Sequence, residues 1–206
     1  MKIKLCGMMR ECDIDFANEA MPDYVGFVFA PTRRLVTLEQ AALFKKNINK
    51  NIKTVGVFVN SDIDFVRELV CKSIIDMVQL HGSEDEDYIK KLNVNVPIIK
   101  AVRIGDMEDV NKQIHDAEIL SCDYLLLDTY MPNTLGGIGK TFDWSRIPAL
   151  KKPYFLAGGL NIDNIDLAKK QSAFALDLSS GIETDGFKDR EKMIEVVKIV
   201  RNQEGL

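Results

Sequence analysis

Two residues far apart in the chain carry groups suited to moving protons. Cys6 ends the apolar stretch Ile3-Lys4-Leu5-Cys6 and is followed by Gly7; Asp128 ends another, Tyr124-Leu125-Leu126-Leu127-Asp128. A thiol whose proton is drawn off by a neighbouring cation, here Lys4 or Arg34, can serve as a base or nucleophile. A carboxyl group at the end of a buried strand is partly desolvated, which favours its protonated form and suits it to general-acid work. Two groups with opposite proton roles suit an isomerisation, in which one proton goes on and another comes off. The plainer alternatives are a small buried thiol and a solvated or capping carboxylate. Cys12, Cys71 and Cys122 read as small buried apolar residues.

A second set of residues could hold an anion. Gly158-Gly159 and Ser179-Ser180-Gly181 follow two later apolar runs. Glycines let backbone N–H groups approach a phosphate, serines donate hydroxyls, and a helix N-terminus adds a favourable dipole. Separately, each pair is ordinary turn chemistry. Of Arg33-Arg34, one arginine could clamp a carboxylate through two parallel N–H···O bonds, or both could be exposed. His81 divides evenly between a structural hydrogen-bonding role and a substrate contact. Lys100 could form a Schiff base, or point inward and pair with a carboxylate. Gly136-Gly137-Ile138-Gly139-Lys140-Thr141 looks like a nucleotide P-loop, but that spacing requires glycine where Thr134 stands; it reads as a loop able to fold over a ligand. His115 lies in a polar helical stretch and carries no chemistry.

The elements that must position these groups follow from hydrophobic patterning. Eight short apolar runs recur: 3–6, 24–29, 54–59, 77–80, 97–102, 124–128, 154–157 and 173–178. Several are apolar at successive positions, as strands buried on both faces should be. Helical signals lie between them. Ser61 reads as the cap of a stretch with Val66, Leu69 and Val70 on one face, and Ser83 with Glu86 as a capping box. Asn161 precedes Ile162, Ile165 and Leu167-Ala168, and Met193, Val196, Val197 and Val200 fall at helical spacing. The sixth helix, within 142–150, is the weakest and contains Pro148. Eight alternating units predict an α/β protein, a (β/α)8 TIM barrel in a single domain over 1–206. A doubly wound open sheet is the runner-up, but its glycine fingerprint is missing after the first strand, where Cys6-Gly7-Met8-Met9-Arg10 stands. In a barrel, chemistry gathers at the C-terminal ends of the strands, which is where Cys6, His81, Asp128 and both glycine- and serine-containing turns fall.

Composition bounds the partners. The 206 residues are 46% hydrophobic and 28% charged, with a net charge of −4. These are globular proportions without the basic excess of a nucleic-acid-binding domain. An anionic ligand then needs local donors. The cysteines have no CxxC pairing and the two histidines lie far from any pair, so neither a metal site nor a disulfide framework is expected. No apolar run approaches the length of a signal-peptide core or a membrane span. The expected setting is the cytoplasm, with free thiols and no membrane or nucleic-acid partner.

The ordered motifs Lys4-Leu5-Cys6-Gly7, Gly26-Phe27-Val28-Phe29, Val55-Gly56-Val57-Phe58-Val59-Asn60, Gln79-Leu80-His81-Gly82, Leu127-Asp128-Thr129, Gly139-Lys140-Thr141-Phe142-Asp143-Trp144, Leu156-Ala157-Gly158-Gly159-Leu160 and Asp177-Leu178-Ser179-Ser180-Gly181-Ile182-Glu183 resemble those of the phosphoribosylanthranilate isomerase family. The resemblance runs from Lys4 to about Lys188. It implies an eight-fold barrel, no cofactor, and an Amadori rearrangement in tryptophan biosynthesis. It implies Asp128 as general acid, Cys6 as general base, Arg34 near the anthranilate moiety, and the loops with Gly158, Gly159, Ser179, Ser180 and Gly181 around the phosphate. Met8-Met9 departs from the Ile-Thr pair common in the family, and Leu35 from the residue often seen after the arginine. A monomer with a small phosphorylated substrate is expected. The rival readings are a Schiff-base enzyme working through Lys100 and a non-catalytic phosphosugar-binding barrel.

Overall fold

The computed structural model describes residues 1–105, 109–129 and 143–201. Eight parallel strands close into a barrel in chain order. They are β1 (Lys2–Cys6), β2 (Tyr24–Val28), β3 (Lys53–Phe58), β4 (Met77–Leu80), β5 (Ile98–Ile104), β6 (Tyr124–Thr129), β7 (Tyr154–Leu156) and β8 (Ala175–Leu178). Closure rests on β1 pairing with β8, Lys4 opposite Asp177 and Leu5 opposite Leu178. An open doubly wound sheet is thereby excluded.

The continuous apolar runs have their cause in two cores. Ile3, Leu5, Val25, Phe27, Val78, Leu80, Leu125 and Leu127 face outward and pack with helix residues such as Ile14, Phe44, Leu69 and Val196. Val55, Met77, Ile99, Leu126, Phe155 and Ala175 fill the barrel interior. Tyr24, Tyr124 and Phe174 surround Phe155 with ring centroids 5.6–5.7 Å from it. A strand flanked on both sides by such layers has no solvent face and needs no polar alternation.

The helices are α1 (Glu11–Ala20), α2 (Leu38–Asn47), α3 (Ile63–Cys71), α4 (Glu86–Leu92), α5 (Val110–Glu118), α6 (Ile165–Ala168) and α7 (Arg190–Val200). Two caps fall later than the spacing predicted. Asp62, not Ser61, caps α3, its Oδ1 accepting from the N–H groups of Asp64 and Phe65. Asp85, not Ser83, caps α4. Ser83 instead donates to Asn60 Oδ1, and Glu86 accepts from Ser121. A carboxylate accepts more strongly than a hydroxyl, so it takes the cap when the two compete. Asn161 closes the turn before α6, which is only four residues long with Leu167 exposed. The described part of the sixth helical segment is a single 3-10 turn, Trp144–Arg146. The glycine-rich segment 136–141 lies outside the described residues. Cys122 is buried as expected, but Cys71 is exposed at the end of α3 and Cys12 is half-buried.

An unanticipated hairpin follows β8. Strands β9 (Glu183–Thr184) and β10 (Phe187–Lys188) are joined by Asp185-Gly186, both at positive φ. That dipeptide is a strong hairpin turn signal.

Candidate active site

Cys6 stands at the C-terminal end of β1, and its thiol lies over Gly26 of β2. A Cβ at Gly26 would stand 2.6 Å from the sulfur, so only glycine leaves it room. One turn of the pleat below, the fully buried Lys4 ammonium is 2.7 Å from Asp177 Oδ2. Burial pushes the Cys6 thiol up, against the pull of the Lys4 charge. Burial also works to lower the Lys4 pKa, but Asp177 and Cys6 together raise it above the ordinary lysine value. Asp177 is pushed up by burial, with Lys4 opposing. Both partners therefore shift upward, because charge outweighs desolvation for the lysine and desolvation outweighs charge for the carboxylate. Of the two cations expected to act on the thiol, only Lys4 does so directly. Arg34 is engaged elsewhere.

Across the mouth, Asp128 on β6 meets His81, which follows β4. His81 Nε2 is 3.2 Å from Asp128 Oδ2, and both side chains are partly exposed. The amide nitrogen of buried Gln79 lies 2.9 Å from His81 Nδ1. In that orientation the amide donates to Nδ1, which places the imidazole proton on Nε2, facing the carboxylate. Sequence reasoning left Gln79 without a role, although a polar residue inside an apolar run is a signal for an inward partner. The Asp128 charge adds to the upward push that burial gives Asp177.

Lys100 takes the paired alternative. Its Nζ donates to Gly82 O at 2.7 Å and to buried Glu84 Oε2 at 3.1 Å. Glu84 also accepts from the N–H groups of Asn60 and Gly82. An amine so fully engaged is a structural strut joining the ends of β3, β4 and β5.

The two anion loops meet. Gly158 and Gly159 both have positive φ, and a Cβ at Gly158 would lie 2.3 Å from Thr129 Oγ1. Gly181 forms an isolated bridge with Asn161, and a Cβ there would stand 1.9 Å from Leu160 O. Ser179 Oγ donates to Cys6 O at 3.2 Å, tying this cradle to the thiol-bearing strand. Ser180 O accepts from the N–H of Glu183. The chain then enters the β9–β10 hairpin, so no helix N-terminus follows β8 directly, contrary to expectation.

Arg33 and Arg34 divide their work. Exposed Arg33 donates to Gly186 O at 2.6 Å and pairs with Glu183. Arg34, largely covered, forks onto the same carboxylate, with Nε 2.8 Å from Oε1 and Nη2 3.0 Å from Oε2. Buried Lys188 completes the group, with Nζ 2.7 Å from Glu183 Oε1 and 2.9 Å from Ser179 O. Burial works to raise the Glu183 pKa, but the Arg34 hydrogen bonds and the Lys188 charge bring it down to about 2. Neither Glu183 nor Lys188 was singled out from the sequence.

A closed eight-stranded β/α barrel with a thiol, an imidazole–carboxylate pair and two glycine- and serine-containing loops at one rim is an enzyme architecture. The family described as N-(5'phosphoribosyl)anthranilate (PRA) isomerase matches residues 3–199. The N-(5'-phosphoribosyl)anthranilate isomerase of Endomicrobium trichonymphae is 47% identical over 204 residues, 98% of each chain. The crystal structure of the Thermotoga maritima phosphoribosyl anthranilate isomerase superposes with a TM-score of 0.84 at 31% identity, covering 98% of this chain and 99% of that one. A further solved isomerase, in complex with reduced 1-(o-carboxyphenylamino)-1-deoxyribulose 5-phosphate, has a TM-score of 0.80 at 28% identity with the same coverage. The chain belongs to the N-(5'-phosphoribosyl)anthranilate isomerase family.

Proposed function

We propose that this barrel carries out its family's isomerisation, the Amadori rearrangement of N-(5'-phosphoribosyl)anthranilate in tryptophan biosynthesis, with Asp128 as general acid and Cys6 as general base. Asp128 gives its proton to the furanose ring oxygen, the C1–O bond breaks, and the nitrogen lone pair forms the Schiff base. The Cys6 thiolate removes the C2 proton, and that electron pair forms the C1=C2 bond of an enolamine as the nitrogen is neutralised. Transfer of the enol proton to C1 gives the ketone. The Nε2–H of His81 stabilises the Asp128 carboxylate left after the first transfer. The placement of a thiol and an imidazole-paired carboxylate on one rim carries this reading.

Gly158, Gly159, Ser179, Ser180 and Gly181 line the site for the 5'-phosphate, and Arg34 meets the anthranilate carboxylate. The protein works as a cytoplasmic monomer on this small phosphorylated substrate, without nucleic acid, membrane or cofactor. Among the described residues, no helix is long and apolar enough to cross a membrane, and no cluster of three metal-ligating side chains occurs.

The test is loss of anthranilate fluorescence from freshly prepared substrate. Cys6→Ser and Asp128→Asn should fold normally and lower turnover by ~10²–10⁴, the range for one proton-transfer group. Wild-type turnover by a well-folded Cys6→Ala protein overturns the role of Cys6. A borohydride-trapped adduct on Lys100 would favour the Schiff-base alternative.

A further inference from the structure

A guanidinium offers five N–H donors along two edges. In Arg34 the Nε–Nη2 edge is spent on Glu183, whose side chain is only 4% exposed. Among the described residues, no acceptor meets Nη1. The stem of Arg34 crosses directly over the residue after the thiol, since a Cβ at Gly7 would lie 2.5 Å from Arg34 Cδ and 3.5 Å from Ser179 Oγ. The side chain of Arg34 therefore lies at the same rim as Cys6 and the β8 loop.

Glu183 itself is pinned. Lys188 holds Oε1 from the barrel side, Arg33 holds Oε2 from outside, and Lys192 Nζ donates to its backbone carbonyl at 2.8 Å. Two guanidinium groups and the Lys188 amine share this single carboxylate, leaving positive charge in excess beside the mouth. An incoming carboxylate cannot displace Glu183 from so many partners, but it is drawn by the excess charge toward the edge Glu183 leaves open.

We propose that Glu183 is a positioning residue for substrate recognition: by clamping one edge of Arg34 it aims the other at the ring carboxylate of the anthranilate group. This rests on the reading of Arg34 given above, and it assigns a task to the hairpin after β8. Glu183 touches no reacting atom, so its loss acts on binding rather than on proton transfer.

The experiment compares two stable probes by titration calorimetry: the reduced product, and the same molecule without its ring carboxylate. In the wild type, a charge-assisted fork should favour the carboxylate-bearing probe by about tenfold to a hundredfold. Glu183→Gln keeps the shape and one acceptor but loses the charge and the fork. Its preference should fall to within about threefold of unity, with KM raised at least about tenfold and kcat changed much less, the pattern of lost uniform binding. If both probes weaken alike, or kcat falls with KM unchanged, Glu183 only supports the hairpin and the proposal is wrong. Arg34→Met separates the two levels. If it leaves the preference intact, the reading of Arg34 has failed; if it abolishes the preference while Glu183→Gln does not, the positioning proposal alone has failed. Should Glu183→Gln not fold, Arg34→Lys decides the matter with the hairpin carboxylate in place. A lysine cannot serve Glu183 and the probe at two edges, so the preference must collapse, and its survival overturns the proposal.

Discussion

The thiol of Cys6 is asked to accept a proton in a place that disfavours its charge. Burial is the largest influence on it and drives its pKa upward, and the Lys4 ammonium only partly compensates. Deprotonation creates the active base, so kcat/KM should rise with pH through an ionisation above the ordinary cysteine range. The thiolate absorbance of wild type minus that of Cys6→Ser, which cancels Cys12, Cys71 and Cys122, should titrate over the same interval. A flat profile across that interval would show another base at work. The sign for folding is opposite. A group whose pKa is raised in the native state binds protons more tightly when folded, so its ionisation costs stability as pH rises through the unfolded value toward the folded one. The sequence made Cys6, His81 and Asp128 visible because each ends an apolar run. It offered Lys4 as a cation for the thiol but not the other supports: Gln79 orders His81, and Asp177 pairs with Lys4 beneath Cys6. Charged and amide side chains inside apolar runs do announce a buried partner. Which residue that partner is depends on a strand contributed 173 positions later.

At the scale of elements, strands were easier to read than helix ends. Two flanking cores make every barrel strand apolar on both faces, a signal intrinsic to each run. A cap is instead a competition between neighbours. Asp62 wins over Ser61, and Asp85 over Ser83, whose hydroxyl is left to donate to Asn60. Replacing Asp62 by alanine should therefore cost ~1 kcal/mol in urea unfolding. Ser61→Ala should fall within about 0.5 kcal/mol of wild type, as surface changes do. An equal loss in both would mean the hydroxyl shares the cap. The β9–β10 hairpin was legible in principle from Asp185-Gly186. Its strands of two residues each are too short for alternation to register, and in consequence Glu183 and Lys188 were overlooked.

For the molecule as a whole, the decisive contact is the one that shuts the cylinder. Lys4 and Asp177 are both buried, on the first and last barrel strands. Lys4→Met strands a carboxyl group in the interior and should lower global stability by ~3–5 kcal/mol in denaturant unfolding. Adding Asp177→Leu should restore most of that loss, because a well-packed apolar pair can replace a buried ion pair. If the double variant is no more stable than the single, the pair contributes something beyond mutual neutralisation.

The same contact sets a timetable for biogenesis. At roughly 5–20 residues per second, a ribosome needs roughly 10–35 s to make the chain between Lys4 and its counterpart. Throughout that interval one edge of the first strand has no neighbour to bond, and an unpaired edge invites association with other nascent chains. The newborn protein must therefore wait, half-assembled, for its final strand before it can seal, and its yield depends on how well it is shielded meanwhile.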